Sequence, residues 1–216
     1  MPTLPMSCSG ADLNSSSMFA GVQNAPGGTE TEGYDLTVNY RFDTEYGKFN
    51  INWDTAYMSY FGDVGQPDFL EELPDGSVSN GNLVGRLFDR TLLYNRIKSN
   101  ITSTWQYGDW GATLGARYLS AVDEDCSVVV IFGQPELCSN PGGSPQFPDG
   151  ENTLDEVWYF DVQASWDAPW NARIAAGIRN VGDEDPPISY SNFANSFDPN
   201  YDIPGRFWYV QYTQKF

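Results

Sequence analysis

The stretch Gly205 to Phe216, GRFWYVQYTQKF, decides how the rest of the chain is read. Successive side chains leave a pleated strand on opposite faces. Here the even positions Trp208, Val210, Tyr212 and Phe216 form an apolar, aromatic row, while Tyr209, Gln211, Thr213 and Lys215 carry polar atoms. Gln214 departs from the pattern as a polar residue in the apolar row. The stretch predicts an amphipathic strand. Alone it fits two settings: a soluble sandwich, where the apolar row meets a second sheet, and a membrane-spanning wall, where it meets lipid.

Composition narrows the choice. The chain of 216 residues has 29 Asp and Glu against 11 Lys and Arg, a net charge of −18, which would repel nucleic acid backbones and excludes them as partners. With 13 Tyr, 13 Phe and 7 Trp it is too aromatic for a disordered acidic protein. There is no His, which removes Ser/His/Asp and Cys/His nucleophile schemes and the commonest zinc ligand. Carboxylates are plentiful, but none stands in a context that marks a glycosidase pair. No catalytic residue, metal site or cofactor is assigned, and the chain is read as not an enzyme.

The longest apolar run, Val128 to Phe132, is far short of the roughly 18 residues a membrane-spanning helix needs. A spanning strand needs only about 9 to 11 residues with alternate positions apolar. Residues 1 to 20 lack the basic start and continuous apolar core of a signal peptide. If the protein works outside the cytoplasm, the chain is expected to be a fragment or a truncated reading frame.

Alternation recurs along the whole chain. Residues 1 to 29 are rich in Ser, Gly, Pro and Asn and read as loop. Tyr34, Leu36, Val38, Tyr40 and Phe42 then share one face, and after a turn near Asp43 to Gly47 so do Phe49, Ile51, Trp53, Tyr57 and Phe61. A long polar stretch, Gly62 to about Asp89, separates this hairpin from a second one. That hairpin has Ile97, Ile101, Trp105 and Tyr107 joined by Gly108-Asp109 to Trp110, Ala112, Leu114, Ala116 and Tyr118. After a loop from Ala121 to about Thr153, Trp158, Phe160, Val162, Ala164 and Trp166 alternate with Val157, Tyr159, Asp161, Gln163 and Ser165. A turn at Asp167 to Pro169 leads to Ile174, Ala176 and Ile178, and a last loop, Gly182 to Pro204, to the terminal strand.

The connections alternate strictly between short and long, which places every short turn on one side of the sheet and every long loop on the other. Transmembrane β-barrels show this asymmetry, and a sandwich has no reason to. The charges Asp35, Asp54, Lys98, Arg117, Asp161, Arg173 and Arg179 all fall opposite the apolar rows, where a barrel has a wet lumen. Trp105, Tyr107, Trp110 and Trp166 sit near short turns, as an interfacial aromatic belt would. The expected fold is all-β: an antiparallel transmembrane β-barrel segment of about seven strands forming an open curved sheet.

The end of the chain, IRNVGDEDPPISYSNFANSFDPNYDIPGRFWYVQYTQKF, resembles the C-terminus of TonB-dependent outer-membrane receptors. The resemblance is carried by Asn180 to Pro187, by Asn195 to Tyr201, and by Asp202 through Pro204, Gly205 and Arg206 to Phe216. Glu30 to Phe42 and Arg117 to Cys126 are similar too. It implies that residues 30–216 are the C-terminal portion of such a barrel, in the bacterial outer membrane, while residues 1–29 are an incomplete N-terminal segment. It implies TonB-energised uptake of a scarce solute such as a siderophore, cobalamin or saccharide. A passive porin and, from another class, a soluble carbohydrate-binding sandwich are the alternatives. Implied partners are outer-membrane lipid, the barrel-assembly machinery, for which Trp208, Val210, Tyr212 and Phe216 would be the signal, and a TonB complex acting through a plug domain absent from this chain. About seven strands out of about 22 would leave two edges unpaired, which is costly in lipid.

In that setting Cys126 and Cys138 lie in one extracellular loop of an oxidising compartment, so a disulfide closing the loop is expected. Two free thiols, or pairing with Cys8, are the alternatives. The acidic clusters Asp123 to Asp125 and Asp183 to Asp185 are read as solvated loop charge, with calcium as the rival. Tyr190, Phe193, Phe197 and Tyr201 either touch a ligand or pack within their loop.

Overall fold

The computed structural model describes residues 28–64, 82–88, 92–191 and 200–214. Strands β1 (Gly28–Thr44) and β2 (Gly47–Val64) are followed by the short β3 (Arg86–Phe88) and β4 (Leu92–Leu93), then by β5 (Ile97–Tyr107) and β6 (Trp110–Leu119). The second loop holds β7 (Val122–Asp125), a helix α1 (Ser127–Ile131), a single 3-10 turn at Pro135–Leu137 and β8 (Glu151–Leu154). The chain closes with β9 (Val157–Ala168), β10 (Ala172–Arg179) and β11 (Phe207–Gln214). It divides into two compact units, Met1–Glu30 with Phe61–Asn82 and Thr31–Tyr60 with Leu83–Phe216. The described part of the first is little more than the ends of β1 and β2. Most of those two strands and all of β3 to β11 belong to the second.

The main sheet has seven strands in the order β1-β2-β5-β6-β9-β10-β11, an open antiparallel meander in which neighbours in the sheet are neighbours among the long strands. The strand count, the hairpin order and the open edges are those expected from the alternation. The turns are tight where the sequence provides for them. Gly108 adopts φ +58° at the first position of its two-residue turn, a conformation costly for any residue with a Cβ. The next turn differs from expectation by a few residues. β9 runs on to Ala168, because the Asp167 amide still donates to the Asp109 carbonyl of the neighbouring turn (2.8 Å).

Register brings the apolar positions together across strands. Ile178, Ala176 and Ile174 lie opposite Trp208, Val210 and Tyr212 on one side and opposite Val162, Ala164 and Trp166 on the other. Leu114 faces Val162 and Ser103, and Trp53 faces Ile101. This face is open: Leu114 is 59 % and Val210 76 % exposed, so among the described residues no second sheet packs on it, against the sandwich reading. Around the short turns the aromatic residues meet. Trp110 stacks on Trp166 at 6.0 Å, Trp166 meets Trp170 edge-on at 5.5 Å, and Trp105 donates its indole N–H to the Tyr46 carbonyl at 2.7 Å. Gln214, polar within the apolar row, belongs to this rim: its amide donates to the carbonyls of Trp170 and Asn171, and its oxygen accepts from the Tyr212 hydroxyl.

A second sheet, unanticipated by the alternation, lies among the loops. Its order is β4-β3-β7-β8, and β3 pairs with β7 in parallel. Here the chain has a water-type core: Leu87, Leu93, Val122, Leu154, Val157, Tyr159 and Tyr201 are buried together, with Leu119 against them. Full burial of each Leu or Val contributes about 1.5–3 kcal/mol.

Candidate functional site

The site is the polar face of the main sheet together with the loop structure at its long-loop end. On β1 and β2, Thr37 donates to Asp54 (2.8 Å), Asn52 donates to the same carboxylate (2.6 Å) and Arg41 donates to Asn50 (3.1 Å). Asp35 is exposed on β1 two residues before Thr37. Farther along, Lys98 reaches Asn200 (3.5 Å), Arg173 donates to Ser165 (2.9 Å) beside Asp167, and Arg179 lies over the Tyr209 ring at 6.0 Å. Asp54, Lys98, Arg117, Asp161, Arg173 and Arg179 alternate with the apolar rows in the ladder. Most have a partner here, which fixes their side chains.

Arg117 organises the long-loop end of this face. Its guanidinium grips both oxygens of Asp202 (3.0 and 2.5 Å) and approaches Asp161 (3.4 Å) while lying 5.1 Å over the Tyr159 ring. A forked donor facing a carboxylate is the strong form of this bond. Asp202 stands just ahead of β11, so the pair ties the end of the last long loop to the wall at β6. The hydrogen bond from Arg117 holds the Asp202 carboxyl below the usual carboxylate range; burial opposes the shift, and the charges of Arg117 and Arg179 add to it. Two further bonds complete the corner. The Asp202 amide donates to the Tyr159 hydroxyl (3.2 Å), and the Asn180 amide, at φ +49°, donates to Asp161 (2.9 Å).

Two residues of the expected polar row behave otherwise. Val157 and Tyr159 point to the same face as Asp161 but are 3 % and 1 % exposed, because the loop sheet and Tyr201 pack on them. The loops thus fold onto the polar face at its long-loop end. Tyr201 is part of that core, and Tyr190 packs against the cluster formed by Cys126, Val129 and Cys138. Phe193, Phe197, Cys8 and Phe216 lie outside the described residues. Cys126 and Cys138 are joined by a disulfide with an S–S distance of 2.01 Å.

Within the acidic cluster at 123–125, Glu124 is not solvated charge. Glu124 is fully buried and its two oxygens accept five hydrogen bonds, from Asn152 Nδ2, the Tyr190 and Ser191 amides, and the Ser189 and Ser191 hydroxyls. Asp123 accepts from Thr153, and Asp125 from the amide and hydroxyl of Ser127. Glu124 thus ties this loop to residues 189–191, while the bonds of Asp123 and Asp125 stay within the loop. In the other cluster Asp183 accepts from the Arg206 amide (2.8 Å). Among the described residues no group of His, Cys, Asp and Glu is placed to hold a metal ion. No sequence signal marks Glu124, since its five donors come from residues 28 to 67 positions away.

The family described as TonB dependent receptor-like, beta-barrel matches this chain over residues 4–181. Among solved structures, the ferric-catecholate import receptor Fiu of Escherichia coli K12, in its closed form, is similar with a TM-score of 0.51 at 15 % identity, over 86 % of this chain and 21 % of that one. The ferripyoverdine receptor of Pseudomonas aeruginosa, bound to ferripyoverdine, gives a TM-score of 0.49 at 11 % identity, over 85 % and 19 %. No curated protein matches. The chain spans about a fifth of the length of these receptors. An open antiparallel sheet with an exposed apolar face, a polar face and segregated loops agrees with the match. The chain belongs to the TonB-dependent receptor-like β-barrel family, whose place is the bacterial outer membrane, crossed by strands.

Proposed function

We propose that this chain is the C-terminal portion of the barrel of an outer-membrane receptor that binds a scarce solute outside the cell and imports it with energy delivered by TonB. The reading assigns residues 30–216 to the barrel wall and its loops, and assigns the plug on which TonB pulls to another part of the protein. The observation that supports it most is the combination of the family match with a polar face whose mouth is covered by ordered loop structure. In this reading Asp35, Asp54, Lys98, Arg117, Asp161, Arg173 and Arg179 line the wet lumen. The loop sheet contributes to the binding surface above them. The apolar row Trp208, Val210, Tyr212 and Phe216 faces lipid and presents the strand for assembly.

The cargo class is open among siderophores, cobalamin and saccharides. Ferric siderophores are the first to test, since the Escherichia coli neighbour is described as a ferric-catecholate import receptor. The test is uptake of radiolabelled ferric siderophores, cobalamin and oligosaccharides by cells with and without the full-length gene, in backgrounds with and without TonB. Uptake of one class that needs both supports the reading. Uptake that needs the gene but not TonB turns it into a passive porin.

A further inference from the structure

The loop between β7 and β8 shows apolar side chains to water at its tip. Helix α1 and the residue that caps it carry the run Val128 to Phe132. Val129 is buried with Cys126 and Cys138, and Val130 packs against them. Val128, Ile131 and Phe132 turn the other way. Spaced i, i+3 and i+4, they are neighbours on one helical face, and Ile131 and Phe132 are each 79 % exposed.

The backbone holds them there. The Cys126–Cys138 disulfide closes the segment. Within it the helix ends in paired bonds: the Gln134 amide donates to the Val129 carbonyl (2.9 Å) and the Gly133 amide to that of Val130 (3.0 Å). A slack loop in water turns an Ile and a Phe inward. Here both stay outside on a fixed frame, so a partner that covers them has little chain left to order.

Charge identifies the partner. From Ala121 to Glu156 the loop has eight Asp and Glu and no Lys, Arg or His. Glu136 is exposed inside the disulfide-closed segment itself, and Asp149, Asp155 and Glu156 are exposed beyond it. A second copy of this chain, an anionic membrane surface and a polyanion would all meet like charge. We propose that the α1 tip is a docking surface for a cationic, amphipathic polypeptide segment, which lays apolar side chains on Val128, Ile131 and Phe132 and carries Lys or Arg beside them. The carboxylates steer it in, and the apolar trio supplies the contact. In this family the long loops lie outside the cell, so the partner is an extracellular peptide or protein. The inference concerns the loop and does not depend on which solute is carried.

The test uses the full-length receptor in nanodiscs of neutral phosphatidylcholine, with empty nanodiscs as the blank. The probe is a dye-labelled helical peptide with Leu at i, i+3 and i+4 and Lys elsewhere, compared with its twin in which every Lys is Glu. Fluorescence anisotropy should show saturable binding of the Lys peptide that weakens as salt rises from about 0.05 to 0.5 M. The Glu peptide should bind at least about tenfold more weakly, and so should the Lys peptide on Ile131→Ser with Phe132→Ser. Both replaced side chains stand in water, so that variant keeps the disulfide and the loop core. Tyr46→Ser, which removes an exposed ring from a short turn, should bind as the wild type does. Equal binding by the double variant and the wild type overturns the proposal, as does equal binding of the two peptides. No saturable binding by the wild type means that another part of the same barrel covers the tip, and overturns it as well.

Discussion

Gly177 stands directly opposite Tyr209 in the β10–β11 ladder, and the Tyr209 ring lies where a side chain on Gly177 would be. A Cβ at that position would come within 2.6 Å of the ring and 2.7 Å of the Val162 carbonyl. The ring is held by a 3.0 Å hydrogen bond from its hydroxyl to Gln163, two strands away, with the Arg179 guanidinium above it. The last strand is thereby latched across β10 to β9.

Gly177→Ala should therefore loosen the terminal strand. Overpacking of this kind costs about 1–3 kcal/mol. In urea titrations of the folded full-length receptor the midpoint should fall. An unchanged midpoint would mean that Tyr209 swings away freely and the latch has no energetic role.

The Arg117–Asp202 pair should respond to pH in one direction only. The carboxyl of Asp202 is depressed in the folded protein, so its contribution is complete above the ordinary carboxylate pKa of about 4 and is lost as pH falls through the lower, folded value. Protease cleavage within residues 200–206 should then be slow and constant from neutral pH down to about 5, and rise only in more acid solution. Asp202→Asn should show the faster cleavage already at neutral pH. Since both side chains are about one-third exposed, at 34 % and 32 %, the loss is modest, about 0.5–1 kcal/mol.

Glu124 should have a larger effect, confined to the loops. Replacing it with Ala strands the donors of residues 189–191 and Asn152 around an empty space, and unsatisfied buried donors cost about 1–3 kcal/mol each. Hydrogen exchange at the Tyr190 and Ser191 amides should accelerate by about 100-fold or more, while amides in β5 and β6 keep their protection. Glu124→Gln should fall between, because an amide keeps one acceptor oxygen and turns the other into a donor. Uniform acceleration over the main sheet would show that Glu124 supports the wall itself.

Deleting Phe216 from the full-length protein should lower its outer-membrane level far more than Thr213→Ser, a change in the polar row of β11. Burial of a Phe side chain is worth about 1.5–3 kcal/mol, while Thr213 stands exposed on the odd-numbered side of β11. Equal levels of the deletion and the wild type in outer-membrane fractions would remove the terminal residue from the assembly signal.

The wall was legible because a period of two is hard to disguise over eight or more residues. From Phe49 to Tyr212 the rows that alternate in the sequence are the rows that meet in the ladder. The loop sheet was not. Its strands are two to four residues long, too short to show a period, and β3 finds β7 across more than thirty intervening residues. The segment Val122 to Asp125, VDED, even alternates, with Val122 and Glu124 buried. A carboxylate at an inward position, however, is indistinguishable in sequence from a solvated one until its donors are known. Val157 and Tyr159 are deceptive for a related reason: their strand face is the polar one, but their surroundings are supplied by a loop.

The loop core over Val157 and Tyr159 means that one chain is stabilised by two different solvents. The cap excludes water from Leu87, Val122 and Leu154 and so depends on the hydrophobic effect, with the large heat capacity that accompanies it. The apolar face of the wall gains nothing from leaving one hydrocarbon for another and depends instead on ladder hydrogen bonds with no water to compete for them. Burial against water weakens on cooling, and bonds shielded by lipid do not share that dependence. In the cold the mouth of the wall should slacken while the wall itself stays closed to exchange.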